Sequence, residues 1–429
     1  MEKIDFKDKV ALVVCTGIFV SIAERLARDF GKVYLWVPVS GNFPLMTHGQ
    51  IGSGLNNVEI VESVFGPHFD SIDLFVFCDL GHAPLQIQLE SMGKRVFGQR
   101  NGEEIEVYRE VAKKVMEDVG LPVNPWKLIK GVTALRSYLK ANDNQHIKID
   151  RWRGVTESFF SPKYEVVETK LDAIAHDLGP FQEELEFIVE SDLPDCVEIG
   201  TDTFCIDGQY PENCLVGLEC KDLGYVGQMC KWIELPPILK EANEKMAPIF
   251  AEYGYRCSLS NELRLPDPKT AYCIDWTCRA PSPPNELWQE LLENLSEIIW
   301  YGAEGVVVEP KARAKFGVEV ILKSDWAKEH NLPVEYPEKY ANQIKLYNCV
   351  VVDGRRYVLS QDEDMAEIGA VVGWGDTLEE AIEHATAAGE AIQAYGVKFG
   401  MGGVEALNSQ IEELEKMGIS PFQLAKKEK

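Results

Sequence analysis

No run in this chain approaches the roughly 20 consecutive apolar residues of a membrane span, so no membrane-spanning helix is expected. No basic, apolar leader is apparent either. Met1-Glu2-Lys3-Ile4-Asp5 runs straight into a strand-like segment, and the expectation is a protein without a signal peptide. The eleven cysteines include no Cys-x-x-Cys pair, are odd in number and lie scattered. That argues against a zinc site and against a disulfide framework. Cys15, Cys78, Cys205, Cys273 and Cys349 sit inside apolar strand-like runs and read as buried thiols of a reducing compartment. Positive charge is in deficit, 43 Lys and Arg against 69 Asp and Glu, for a net charge of −26. Such a balance argues against a broad grip on nucleic acid and leaves room only for a local basic patch. There is no internal repeat, no low-complexity tract and no G-x-G-x-x-G phosphate fingerprint, so a dinucleotide-binding dehydrogenase is poorly supported. Small-molecule chemistry in the cytoplasm is what these absences leave.

What is present is ordinary globular composition, 45% hydrophobic and 26% charged, over 429 residues, enough for two to four domains. The first hundred residues alternate strand and helix: strands near 9–15, 32–37, 74–78 and 95–97, with helices near 22–30 and 83–92. Continuous apolar strands separated by helices predict a parallel sheet covered on both faces. The turn Thr16-Gly17 could approach a ligand at the carboxyl end of its strand. An amphipathic charged helix over 104–119 stops at Gly120-Leu121-Pro122, and a second is expected near 132–141. Strands follow at 147–150, 186–190, 197–208 and around 215–221, then helices near 238–253 and 286–300. Residues 323–339, charged and proline-containing, read as a linker. Beyond it come strands at 344–352 and 368–374, and a helix over 377–394 that either Thr377 or Asp376 caps. The end, 405–429, reads as a charged, mostly helical, solvated terminus.

The most informative stretch is a hairpin: one strand carries Ser260 to Leu265, Pro266-Asp267-Pro268-Lys269 turns, and a second strand carries Tyr272 to Arg279. Polar and apolar residues alternate in both strands, so Glu262, Asp275, Thr277 and Arg279 can project from one face. The plain reading of such a face is solvent exposure. The sharper one starts from cost: two carboxylates, a hydroxyl and a guanidinium converging on a sheet are expensive unless a doubly charged group lies between them. Hard oxygen ligands suit Mg²⁺, which keeps waters and borrows phosphate oxygens from a nucleotide.

At this point the order of the pieces resembles the ATP-grasp superfamily, and in particular the phosphoribosylamine–glycine ligases, across most of the chain. Members carry an acid on one strand and acid-x-Asn, often with x-Arg, on the next; here Glu262 is followed after twelve residues by Asp275, then Thr277 and Arg279. The run from Ala370 through Gly373-Trp374-Gly375-Asp376 to Ala381 is similar to the segment closing the glycine ligases' C-terminal domain. Gly81-His82-Ala83-Pro84-Leu85 with Val96-Phe97-Gly98 is similar to the end of their N-terminal domain. The resemblance implies an α/β (α+β) chain of the ATP-grasp fold. It implies a Rossmann-like domain over 1–103, an ATP-grasp domain over 104–325 with a lid subdomain at about 123–190, and a small α+β domain over 326–429.

The implied activity is a carboxylate–amine ligation through an acyl phosphate, of the kind found in purine biosynthesis, with ATP and Mg²⁺ or Mn²⁺ as cofactors. The implied partners are a small-molecule carboxylate and an amine, acted on by a monomer or homodimer. Lys148 matches the strand lysine on the ATP phosphates; as a bare strand residue it would be an edge lysine that aids solubility. Arg109 falls where the family has a lysine, with a solvated helix face as the other reading. Glu190 and Leu193 match the hinge at the adenine edge, Glu198 the ribose acid, and Lys221 a basic residue near the γ-phosphate. Glu262, Asp275 and Thr277 match the metal ligands. Arg279 would stabilise charge on the acyl phosphate, or else pair simply with Asp275.

Departures from the pattern are as informative. The phosphate flap is reduced to Arg151-Trp152-Arg153-Gly154-Val155-Thr156, with Gly154 its single glycine. Residues 223–230 replace a glycine-rich family loop, and Ala280-Pro281-Ser282-Pro283-Pro284 replaces Gly-Asp-Pro-Glu. Phe399-Gly400-Met401-Gly402-Gly403 stands where the family has Arg-x-Asp-Ile-Gly. These changes border the acceptor side more than the nucleotide side. They leave the acceptor open and keep a second reading in play, a catalytically degenerate nucleotide-binding or scaffold protein.

Overall fold

The structure is a computed structural model that describes residues 4–38, 50–150, 158–194, 196–221, 223–360, 366–420 and 422. The N-terminal part holds β1 (Val10–Val14), α1 (Val20–Ala27), β2 (Lys32–Trp36), β3 (Val58–Ile60), β4 (Leu74–Phe77), α2 (Ala83–Ser91) and β5 (Arg95–Phe97). The strands form one parallel sheet in the order β3-β2-β1-β4-β5. Its strands are apolar on both faces because both are covered: Ala11 and Val13 enter one core, Leu12 and Val14 another.

The helix expected over 104–119 is two pieces, α3 (Glu104–Val107) and α4 (Arg109–Asp118), because Tyr108 leaves the helical region at φ −102, ψ 87. Next come β6 (Trp126–Lys130), α5 (Val132–Leu139), β7 (Gln145–Ile149), β8 (Ser158–Ser161), α6 (Tyr164–Leu178) and β9 (Glu186–Ser191). They build a four-stranded antiparallel sheet, β6-β9-β7-β8, with a core of its own that includes Leu135, Leu139, Ile147, Leu171 and Phe187. Ile147 and Ile149 face that core, so period-2 alternation turns Lys148 to the other side.

The central part contributes β10 (Val197–Ile206), β11 (Asn213–Cys220), β12 (Gly224–Lys231), α7 (Pro237–Glu252), β13 (Arg256–Asp267), β14 (Thr270–Thr277), α8 (Asn285–Leu291), α9 (Leu295–Ala303) and β15 (Phe316–Lys323). Residues 223–230, which replace a glycine-rich loop of the family, are mostly β12, a central strand paired to β11 and β15 and buried from Gly224 to Gln228. The helix expected over 286–300 breaks at Leu292, which is extended.

Beyond β15 lie β16 (Leu332–Val334), β17 (Ile344–Leu346), β18 (Cys349–Val352), β19 (Arg355–Val358), β20 (Glu367–Gly375), α10 (Leu378–Glu390) and α11 (Gly402–Lys416). The central sheet runs β14-β13-β10-β11-β12-β15-β20-β17, and β16-β19-β18 form a small sheet. Two expectations change here. The segment read as a linker is packed, with Ala327, Leu332 and Val334 buried. The strand read over 344–352 divides at Asn348, whose φ is +46. β20 pairs antiparallel along β15 and so joins the central sheet. The charged terminal helix α11 is anchored, since Leu407, Ile411 and Leu414 are buried in the main core. Thr377 caps α10 in a capping box with Glu380, whose backbone N donates to the Thr377 hydroxyl at 3.2 Å. The five cysteines named above are all buried thiols.

Candidate active site

The hairpin β13–β14 is built as its alternation predicts. Glu262 is the register partner of Asp275, and Ser260 that of Thr277. Asp267 closes the turn by accepting from the backbone N of Lys269 at 2.8 Å and of Thr270 at 2.9 Å. Past Asp275 the register slips, Leu263 facing Cys273, so Ile274 is an extra residue. A bulge of this kind re-aims side chains locally. Glu262, Asp275, Thr277 and Arg279 all line one open cleft of about 600 Å³, together with Glu198, Gly200, Asp202, Gly217, Glu219, Tyr225 and Ser260.

A cluster of cations stands against the hairpin. The Lys148 ammonium lies 2.7 Å from Asp275 and 3.5 Å from Glu190. Lys113, on α4, lies 3.1 Å from Glu190 and donates to Asn124 Oδ1 at 3.3 Å and to the Ile274 carbonyl at 3.2 Å. Asn124 in turn donates to the second Glu190 oxygen at 3.0 Å. Arg109 donates to the Ile149 carbonyl at 2.7 Å. Burial raises the Asp275 carboxyl, but Lys148, Lys113 and Arg109 outweigh it and hold the group well below the usual carboxylate range. Burial likewise opposes the Lys148 ammonium, and Asp275 and Glu190 more than compensate, so this lysine stays charged. Glu190 is held low by Lys148 and Lys113 against the burial that would raise it.

The other acids behave oppositely. Glu198 and Glu262 approach each other on neighbouring strands, with Arg264 3.2 Å from Glu198 and 3.6 Å from Glu262. Burial first, then the Glu198 and Asp275 charges, push the Glu262 carboxyl well above its ordinary range. Glu262 is therefore short of positive charge where Asp275 is not. No group of three or more His, Cys, Asp or Glu side chains among the described residues is arranged to hold a metal alone. Glu262, short of cation, together with Asp275 and the Thr277 hydroxyl fits a Mg²⁺ that completes its shell with water and phosphate oxygens.

Arg279 donates to Glu106 on α3 at 3.1 Å and lies 3.7 Å from Asp79 at the end of β4. The Asp275 ion pair goes to Lys148, in place of the Arg279 partner considered from sequence. Lys221 stands exposed in the turn after β11, outside the cleft lining; Glu219, two residues earlier on the strand, lines it. Leu193 lies half-buried in the connection between β9 and β10 and is not among the lining residues, and the Glu190 side chain is committed to the two lysines. Gly154 lies outside the described residues. Lys113, Asn124, Asp202, Tyr225 and Glu106 escape the sequence reading. Lys113 alone had a local signal, its i, i+4 spacing from Arg109 on one helix face.

The lid-like antiparallel sheet, the larger central sheet and the cleft with its paired acids define the ATP-grasp fold. No protein-family model matches the chain, and no curated protein matches it in sequence. Solved structures do. A phosphoribosylamine–glycine ligase from Thermotoga maritima aligns with a TM-score of 0.68 at 17% identity, over 91% of this chain and 98% of that one. The biotin carboxylase domain of the 2-oxoglutarate carboxylase of Hydrogenobacter thermophilus, solved with MgADP, ADP and bicarbonate, gives 0.66 at 13% identity, over 95% and 98%. An N5-carboxyaminoimidazole ribonucleotide synthetase in its ADP complex gives 0.59 at 12% identity, over 89% and 96%. At such identities the likeness establishes the fold.

Proposed function

We propose that this protein is an ATP-dependent carboxylate–amine ligase that forms an amide through an acyl phosphate. The observation that carries the reading is the register pairing of Glu262 with Asp275 on the cleft floor, with the Lys148 ammonium 2.7 Å from Asp275. Phosphoryl transfer is governed by positioning and charge neutralisation. Lys148, backed by Lys113 and Arg109, brings positive charge up to the cleft-lining Asp275, and Glu262, Asp275 and Thr277 would supply the metal ligands. Glu198 would take the ribose hydroxyls, and Arg279 would meet negative charge on the acyl phosphate. Bound Mg²⁺–ATP would provide the phosphoryl group and the counter-charge that Glu262 lacks. Support from relatives is of the same kind: a solved protein of this fold is a phosphoribosylamine–glycine ligase, and another holds MgADP.

A second reading, nucleotide binding without catalysis, is favoured by one observation. Lys148 and Arg279 already hold carboxylate partners, Asp275 at 2.7 Å and Glu106 at 3.1 Å, and those bonds must loosen for either to serve a substrate. Release of ADP from Mg²⁺–ATP, measured with panels of carboxylates and amines, separates the two. Turnover with one pair supports the ligase; tight Mg²⁺–ATP binding with no turnover for any pair supports the binding protein.

A further inference from the structure

The cleft floor is organised in rows across the strands. One row runs Asp275, Glu262, Gly200, Gly217, Gly227 and Gly317, each the register partner of the next. The four glycines keep this strip of sheet bare of side chains. A Cβ on Gly217 would collide with the Tyr225 ring and with Asp202, and one on Gly227 would reach within 2.7 Å of the Tyr225 hydroxyl. The ring of Tyr225 therefore lies across both glycines, a seat that only their lack of side chains permits.

The next row, about 7 Å further along the strands by the two-residue repeat, is Thr277, Ser260 and Asp202. Asp202 is 3% exposed, and its carboxylate accepts from the Tyr225 hydroxyl at 2.5 Å and from the Ser260 hydroxyl at 2.6 Å. Those two donors order it without neutralising it. Among the described residues Asp202 has no cationic partner, which is a costly state for a carboxylate so buried. A brace between strands would need no charge, and this charge opens onto the cleft beside the metal-ligand row. Five acids line the cleft, Glu198, Asp202, Glu219, Glu262 and Asp275. Arg279 is the single cation among the described lining residues, and it is bonded to Glu106.

We infer that Asp202, oriented by Tyr225 and Ser260, is the acceptor subsite of this cleft, and that the acceptor is a protonated amine carrying no phosphate group. The inference rests on the ligase reading and deepens it. The ammonium binds against the Asp202 carboxylate and gives it one proton. The freed nitrogen attacks the acyl carbon, the bond from that carbon to the phosphate oxygen breaks, and phosphate leaves with the electron pair. The second proton lost by nitrogen leaves with it as hydrogen phosphate. Burial pushes the Asp202 carboxyl up to about 6, which suits a proton acceptor near neutral pH. A phosphorylated acceptor would set its negative charge against Asp202 and Glu219, the lining acids left once Glu198, Glu262 and Asp275 serve the nucleotide and the metal.

The test uses the full chain with Mg²⁺–ATP and hydroxylamine, which is uncharged near neutral pH and traps acyl phosphates as hydroxamates. Panels of amino acids and small mono- and dicarboxylates are screened first. The best carboxylate is then paired with ethanolamine, putrescine and O-phosphoethanolamine. In Asp202→Asn, kcat/KM for the better amine should fall on the order of 10–100-fold, the scale of one charged hydrogen bond. That loss should exceed the loss in hydroxamate rate by about tenfold. Tyr225→Phe should move in the same direction by less. O-phosphoethanolamine should be a poorer acceptor than ethanolamine. Equal losses for amine and hydroxylamine, or preference for the phosphorylated amine, overturn the subsite. Absence of hydroxamate with every carboxylate overturns the ligase reading itself, a separate and recognisable failure.

Discussion

Glu190→Gln tests the cation cluster independently of any substrate. Glu190 is 2% exposed and receives Lys113 at 3.1 Å, Lys148 at 3.5 Å and the Asn124 amide at 3.0 Å. At an effective dielectric of 20, a unit charge pair near 3 Å attracts by about 5 kcal/mol. The substitution deletes two such attractions and leaves Lys113, itself buried, facing a neutral amide. Desolvation offsets most of the gross figure, and breaking one partner out of a buried pair costs about 3–5 kcal/mol in practice. For a cooperative unit of roughly 200 residues that is a drop in thermal midpoint of about 6–15 °C. Calorimetry at pH 7 reads it directly. The pH dependence gives a second readout. The Glu190 carboxyl is held low in the folded state, so its contribution is present above the unfolded value near 4.3 and fades as pH falls through the folded one. The acid limb of the stability curve should therefore be shallower in the variant. A midpoint within 2 °C of wild type, with an unchanged acid limb, would refute the geometry of the cluster.

Asp275→Asn should abolish Mg²⁺-dependent ADP release while circular dichroism stays native; near-normal turnover would remove the metal assignment. Lys148→Ala should weaken Mg²⁺–ATP binding on the order of 10–100-fold, measured by calorimetric titration, since it removes a charge-assisted contact to phosphate. For Asp202 the linkage sign is the reverse of Glu190: burial raises its folded value to about 6 from about 4 unfolded. Folding thus takes up a proton between those values, and stability declines as pH rises from 4 to 6, by roughly 2–3 kcal/mol. Asp202→Asn should flatten that decline in urea titrations, and an unchanged profile would contradict it.

The residues of the cleft divide by how far apart their determinants lie. Glu262, Asp275, Thr277 and Arg279 were legible in the sequence, because a hairpin is local: alternation sets the face and Pro266 to Lys269 set the turn. The buried strands of the N-terminal sheet were legible for the same reason, as apolar runs between turn residues. The stretch 223–230 was not, and no element was assigned to it; it is a strand because β11 and β15 hydrogen-bond it from both sides. Charge likewise concealed the anchoring of α11, whose Val404, Leu407, Ile411 and Leu414 are buried in the main core of the molecule. The partners of the charged groups lay further out of reach. Arg279 meets Glu106 across 173 positions, Lys148 meets Asp275 across 127, and Asp202 meets Tyr225 only once β10, β11 and β12 align. Local pattern, a matter of neighbouring residues and backbone period, determined which face each side chain takes. Only the packing of distant elements decided which charges meet, because a Coulomb partner is chosen by distance in space and not along the chain.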